Sequence, residues 1–323
     1  MKSLLLLIGL LLAVPRALLH AEFTQIGPVE TLNNGTISLN VALRVGRITS
    51  YQRSGEPNWL VVFDEAPKPG WNWNPWGGDR VWPTSQTLHY QIYGNNGFDP
   101  IIDGQPWELI SKTATTLEMR SGISPQLGLQ VTHRIELVGQ TTEVLHAYRV
   151  ERLAESKFPV HVWTVTGVRK GDYMLMESDP RVKHDGYKPY RTWTGATYTT
   201  TPDAALLPNT RILKVNTPAE GSMKAGTYGR WIALVSGRSA FWQEINYLPG
   251  ELYLDACSLE AFVDTRTGTY ELEALSPTWF LAKGETREWI VRWRLLDFPE
   301  DTKTTRAKAE FLHEQLEAPA VAK

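Results

Sequence analysis

Over most of its length the chain alternates apolar and polar residues with a period of two. In ISLNVALRV, Ile37, Leu39, Val41, Leu43 and Val45 share one side; in VTHRIEL, Val131, His133, Ile135 and Leu137 do; in EWIVRWRLL, Trp289, Val291, Trp293 and Leu295 do. That period belongs to half-buried strands, whose successive side chains point to opposite faces. The same reading predicts strands over Trp59 to Phe63, Thr87 to Tyr93, Thr115 to Arg120, Glu143 to Glu151, Val160 to Val168, Trp231 to Val235, Ala240 to Tyr247 and Thr269 to Leu275. Turn pairs such as Asn95-Asn96-Gly97, Asp103-Gly104 and Lys170-Gly171-Asp172 separate them. The prediction is an all-β fold.

One segment keeps a different rhythm. From Pro299 onward, Ala307, Phe311 and Leu316 form a sparse helical stripe that Asp301 or Thr302 can cap, which predicts a short C-terminal helix over a tail of residues 299–323. No linker, low-complexity tract or internal repeat divides the strands, so residues 22–298 are expected to form one domain. That length far exceeds an immunoglobulin-like sandwich of about 100 residues and predicts two large facing antiparallel sheets.

Composition narrows the function classes. With 42% hydrophobic residues and 13 Trp among 323, the chain can bury a large core. Its formal charge of -2, with no basic block, lacks the electrostatic footprint of a nucleic-acid binder. Met1-Lys2-Ser3, the run LLLLIGLLLAV and the small-residue end LLHA read as a signal peptide over residues 1–21, cleaved after Ala21. The run is shorter than the ~20 residues a spanning helix needs. A periplasmic or secreted protein without stable membrane insertion is therefore expected. Cys257 is the only cysteine, so no intramolecular disulfide can form, and it reads as a small buried residue. The seven His are scattered, and HEQLE at His313 lacks the second His of a helical zinc pair, so neither a metal nor a cofactor is predicted.

The stretch WNWNPWGGDRVWPTSQ, Trp71 to Gln86, is where candidate chemistry concentrates. Pro75, Gly77, Gly78 and Pro83 interrupt any ladder, so it reads as a loop packed on itself. Its tryptophans either fill the loop's own core or stack against the apolar C–H faces of sugar rings, with Asp79, Arg80 and Gln86 addressing the hydroxyls. A planar guanidinium at Arg80 can bridge two hydroxyls or lie on an indole; it can also pair with Asp79 to hold the loop.

Taken together, VGRITSYQ (Val45 to Gln52), GGDRVWPTSQ (Gly77 to Gln86), THRIEL (Thr132 to Leu137), HVWTVTG (His161 to Gly167) and ELEALSPTWFLAKGET (Glu271 to Thr286) resemble the galactose mutarotase-like superfamily. Within it, a DUF4380-type bacterial family is the more similar. The resemblance implies a β-supersandwich whose concave sheet carries a carbohydrate site. Aldose epimerases of this superfamily use a carboxylate to take the anomeric proton and an imidazole to protonate the ring oxygen.

Carried onto this chain, the family's glutamate strand looks like Tyr270 to Leu275, where alternation puts Glu271 and Glu273 on one face and Tyr270, Leu272 and Ala274 on the other. Glu273 is the preferred base, Glu271 its neighbour, and His161 lies near the acid-histidine strand. Trp76, Trp82 and Trp163 are the stacking candidates. His89, His133, His146 and His184 belong to no motif. One implied imidazole is missing, since no His stands between Asn72 and Thr87. Two functions follow: an exported carbohydrate-binding protein, or a cofactor-free aldose 1-epimerase-like enzyme with Glu273 as base and His161 as acid. Glycoside hydrolysis fits less well, because its two carboxyls flank a bond across a cleft.

Overall fold

The alternation becomes nineteen strands and two helices in the computed structural model, which describes residues 26–63, 76–94, 98–182, 191–192, 204–206, 211–218 and 220–316. The expected signal segment, Trp71, Trp73, the Asn95-Asn96-Gly97 turn and His184 lie outside the described residues. In chain order the first elements are β1 (Glu30–Asn33), β2 (Ile37–Ala42), β3 (Arg47–Arg53), β4 (Asp79–Trp82), α1 (Gln86–Tyr93), β5 (Glu108–Lys112), β6 (Thr116–Arg120), β7 (Leu129–Leu137), β8 (Val144–Arg152) and β9 (Trp163–Gly167). There follow β10 (Tyr173–Glu177), β11 (Arg191–Thr192), β12 (Ala204–Leu206), β13 (Ile212–Asn216), β14 (Ser222–Thr227), β15 (Trp231–Ser236), β16 (Ser239–Ile245), β17 (Leu259–Asp264), β18 (Thr269–Leu275), β19 (Thr286–Asp297) and α2 (Thr305–Glu314).

The strands form two antiparallel sheets. The first has the order β1-β2-β3-β4-β9-β18-β17-β14-β11 and the second β12-β13-β10-β15-β16-β19-β8-β7-β6-β5. Alternate residues of both, among them Leu39, Ile48, Val81, Leu272 and Ala274 from the first and Val131, Tyr148, Ile232, Phe241 and Trp293 from the second, meet in one apolar core. The two outer faces differ. Helix α2 covers part of the second sheet's outer face by burying Ala309 and Leu312 against Trp231, Ala233 and Trp242. The first sheet's outer face instead carries Trp82, Phe98, Trp163, Val165, Tyr253 and Leu275, with charged residues among them.

Four segments depart from the sequence reading, the first being Trp59 to Phe63, where the expected strand is reduced to isolated bridges from Leu60 to Val168 and from Val62 to Gly77. Asp79–Trp82, read as loop, is strand β4 and pairs along its whole length with β9. Gly77 and Gly78 do not break it; they adopt positive φ of 71° and 66° just ahead of it, turning the chain into the sheet. The expected strand at Thr87 to Tyr93 is helix α1, because Ser85 caps it by accepting from the Leu88 amide. Val160 to Trp163 is strand only from Trp163 onward; before it Val160 forms an isolated bridge to Trp279. At the C-terminus the helix forms, with Thr304 rather than Asp301 or Thr302 as its cap.

Candidate functional site

The site grows from cross-strand register on the outer face of the first sheet. Arg80 on β4 lies opposite Val165 on β9, Val165 opposite Glu273 on β18, and Glu273 opposite Glu260 on β17. One step along, Glu271 lies opposite Gly167 and Phe262, and Phe262 opposite Lys224 on β14. Because Gly167 places no side chain between β4 and β18, Arg80 reaches across and donates to Glu271 Oε1 at 3.0 Å.

Glu273 is the best-held group. Its Oε2 accepts from Trp163 Nε1 at 2.8 Å and from Lys224 Nζ at 2.9 Å, whereas its Oε1, buried, has no hydrogen-bond partner. Lys224 Nζ also lies 2.6 Å from Glu260 Oε2, and the Cys257 thiol donates to Glu260 Oε1 at 2.9 Å. Like carboxylates directly opposite one another repel; the ammonium between Glu260 and Glu273 is what makes that pairing tenable. Arg80 lies over the Trp82 ring at 4.6 Å and Lys224 over the Trp163 ring at 4.8 Å, so each indole supports a cation.

Burial dominates the protonation of these groups. It raises Glu273 to about 7, Lys224 opposing and Glu260 adding to the rise. It also raises Glu271, against the pull of Arg80 and with a further push from Glu273. A carboxyl poised near neutrality can give up or take a proton.

The structure therefore assembles Arg80, Trp82, Trp163, Glu271 and Glu273 and sends the other candidates elsewhere. Asp79, adjacent to Arg80 on β4, points the opposite way, into the interior, where Thr166 Oγ1 and Tyr148 Oη donate to it at 2.7 and 3.1 Å. Burial raises it to about 7. Trp76 joins a separate cluster with Ile26, Ala42, Val45 and Val62, under Arg47. Gln86 opens α1 and donates along the helix to Tyr90 Oη.

His161 is buried, with neither ring nitrogen hydrogen-bonded, and burial lowers it to about 4. Its ring centroid lies 6.3 Å from that of Trp163, the indole that donates to Glu273, and no hydrogen bond joins His161 to that carboxylate. Beyond Trp163 it approaches His89, which is also buried and lowered, to about 3. Nor do the two indoles offer open sugar platforms: Trp82 is stacked on Phe98 at 3.8 Å and donates to Asp103, and both rings are buried.

Lys224 and Glu260 escape a reading by motif. Their only signal is a charged residue inside an otherwise apolar or small-residue strand, SMKAGT and LEAFVD. Among the described residues no group of three or more His, Cys, Asp or Glu could hold a metal, and no helix is long and apolar enough to cross a membrane.

No family model matches the chain, and no curated protein matches it. Solved structures do. A galactose mutarotase-like protein from Lactobacillus casei superposes with a TM-score of 0.57 at 12% identity, over 83% of this chain and 100% of its own. A galactose mutarotase related enzyme from Lactobacillus acidophilus gives 0.56 at 11%, over 86% and 100%. A putative aldose 1-epimerase from Escherichia coli K12 gives 0.54 at 13%, over 84% and 99%. At such identities the likeness is one of fold, and the fold is the galactose mutarotase-like β-sandwich.

Proposed function

We propose that this sandwich binds a sugar or glycan on the outer face of its first sheet, with Glu273, Glu271, Arg80 and Lys224 as the polar groups that address it. The observation that carries this reading is the unfilled Oε1 of a buried glutamate whose other oxygen is pinned by Trp163 and Lys224. A sugar hydroxyl donating to Oε1 would make a hydrogen bond to a charged acceptor, worth about 1.5–3 kcal/mol. Arg80, aligned by Glu271 and supported by Trp82, sets a guanidinium beside that carboxylate. The indoles act beneath the ligand, orienting the charged groups, rather than as stacking platforms. The proposal extends to a DUF4380-type affiliation, to export with loss of residues 1–21, and to residues 22–298 as the sandwich domain followed by the 299–323 tail.

A second reading, aldose 1-epimerase-like chemistry with Glu273 as base, is favoured by its protonation midpoint of about 7 and its free oxygen. Such chemistry also needs an acid across the ring. His161 is buried with no hydrogen bond from its ring nitrogens and stays neutral, and Lys224 stands on the base's own side. Binding is therefore the stronger reading. Calorimetric titration of the protein with neutral aldoses and oligosaccharides, alongside NMR exchange between their α and β anomers, separates the two. Binding that weakens about 10- to 100-fold in Glu273→Gln, without faster anomer exchange, is the expected result. Absence of binding to every carbohydrate tried would refute the proposal.

A further inference from the structure

Resting on that sugar-binding reading, we infer that the ligand carries a positive charge, and that the face is built for a sugar with a free amine whose ammonium lies against Glu273 Oε1. The inference starts from charge. When all three are ionised, the buried or nearly buried carboxylates Glu260, Glu271 and Glu273 share two cations, Arg80 and Lys224, which leaves one negative charge over among these described groups. Among the described residues the other donors to the carboxylates, the Trp163 indole and the Cys257 thiol, are neutral.

The surplus has a definite location. Glu273 is 1% exposed, stands between Glu260 across the strand and Glu271 two residues away, and presents its one unpartnered oxygen, Oε1. Residues two apart on one strand face lie about 7 Å apart. One ammonium between them can donate to Glu273 Oε1 and to the Glu271 oxygen that Arg80 does not hold. Glu271 is the more exposed of the two, its side chain 13% accessible, so the approach runs past it.

A neutral hydroxyl would satisfy Oε1 as an acceptor and leave the charge to be balanced only by a proton on Glu273. An ammonium satisfies the oxygen and balances the charge. An anionic sugar would add to the repulsion.

Isothermal titration calorimetry at pH 7 on the full chain tests this with three matched sets: glucosamine, galactosamine and mannosamine, their 2-acetamido counterparts, and the parent aldoses. At least one amine is expected to bind tenfold or more tighter than both its acetamide and its aldose. Glu273→Gln is expected to bring that ratio within threefold, with a thermal melt confirming that the variant is folded. Glu271→Gln, at the more accessible edge, provides the second variant and is expected to reduce the ratio without abolishing it. If aldose or acetamide binds as tightly as the amine, the inference falls while sugar binding stands. If no sugar of any set binds, both fall.

Discussion

Glu273 shows how much a single residue's neighbours decide. Alternation along ELEAL predicts that Glu271 and Glu273 share a face, and the register of β17, β18 and β9 places both outward, with Leu272 and Ala274 in the core. What alternation could not supply were the partners. Lys224 and Trp163 come from strands 49 and 110 residues away in the chain. Replacing Trp163 by Phe removes a donor to the charged carboxylate, so its protonation midpoint should rise above the present value of about 7. Carboxyl carbon NMR across a pH titration would follow that upward move. Lys224→Met leaves Glu260 and Glu273 facing each other without a cation. Breaking a buried ion pair in this way costs about 3–5 kcal/mol, measurable as a drop in unfolding free energy in urea.

At the scale of elements, β4 is the piece on which the site turns. Its four residues alternate so that Arg80 and Trp82 face outward while Asp79 and Val81 face inward, which splits the Asp-Arg pair that the sequence presents as a unit. Proline and glycine content argues for a loop here. A strand forms because Gly78 lets the backbone come close to β3: a Cβ at this position would stand 2.4 Å from the Ile48 carbonyl oxygen, at a φ of 66°. Gly78→Ala should therefore lower the melting temperature clearly, by backbone strain of about 1–3 kcal/mol plus the clash, and should also weaken any ligand that depends on Arg80. Ser85→Ala tests the adjacent helix, with a loss of about 0.5–2 kcal/mol expected from the missing cap. Helix α1 was illegible as a helix because Leu88, Tyr90 and Ile92 also fit a two-residue period, and only the Pro83-Thr84-Ser85 entry speaks for a cap.

At the scale of the whole molecule, a line of buried polar groups joins the two sheets under the site. Gln243 of β16 donates to Thr166 of β9, Thr166 and Tyr148 donate to Asp79, and His133, stacked on Tyr148, lies 3.2 Å from His146. Burial lowers His133 and His89 to about 3, His161 to about 4 and His146 well below its usual value. Their contribution to stability is complete above pH 6.5 and is lost as the pH falls toward those lowered midpoints. Asp79 and Glu273, raised to about 7, act in the opposite sense: their contribution is complete near pH 4 and is lost as the pH rises through 7. Each tenfold change in proton affinity is worth about 1.4 kcal/mol, so the four imidazoles outweigh the three raised carboxyls, Asp79, Glu271 and Glu273. The protein should lose stability between pH 6.5 and 4, visible as a falling urea midpoint, and a His133→Gln variant should show a shallower decline.

The sequence by itself determined the all-β class, the two-sheet expectation, the terminal helix and the shared face of Glu271 and Glu273, because a two-residue period is a local property that survives without knowledge of partners. Which outward face stayed charged, that Asp79 turned inward, that His161 fell beyond Trp163, and that Lys224 came to stand between two glutamates were decided only by tertiary structure. Strand order and register bring together residues far apart in the chain, and the energy of a buried charge depends on those distant neighbours rather than on the residues beside it.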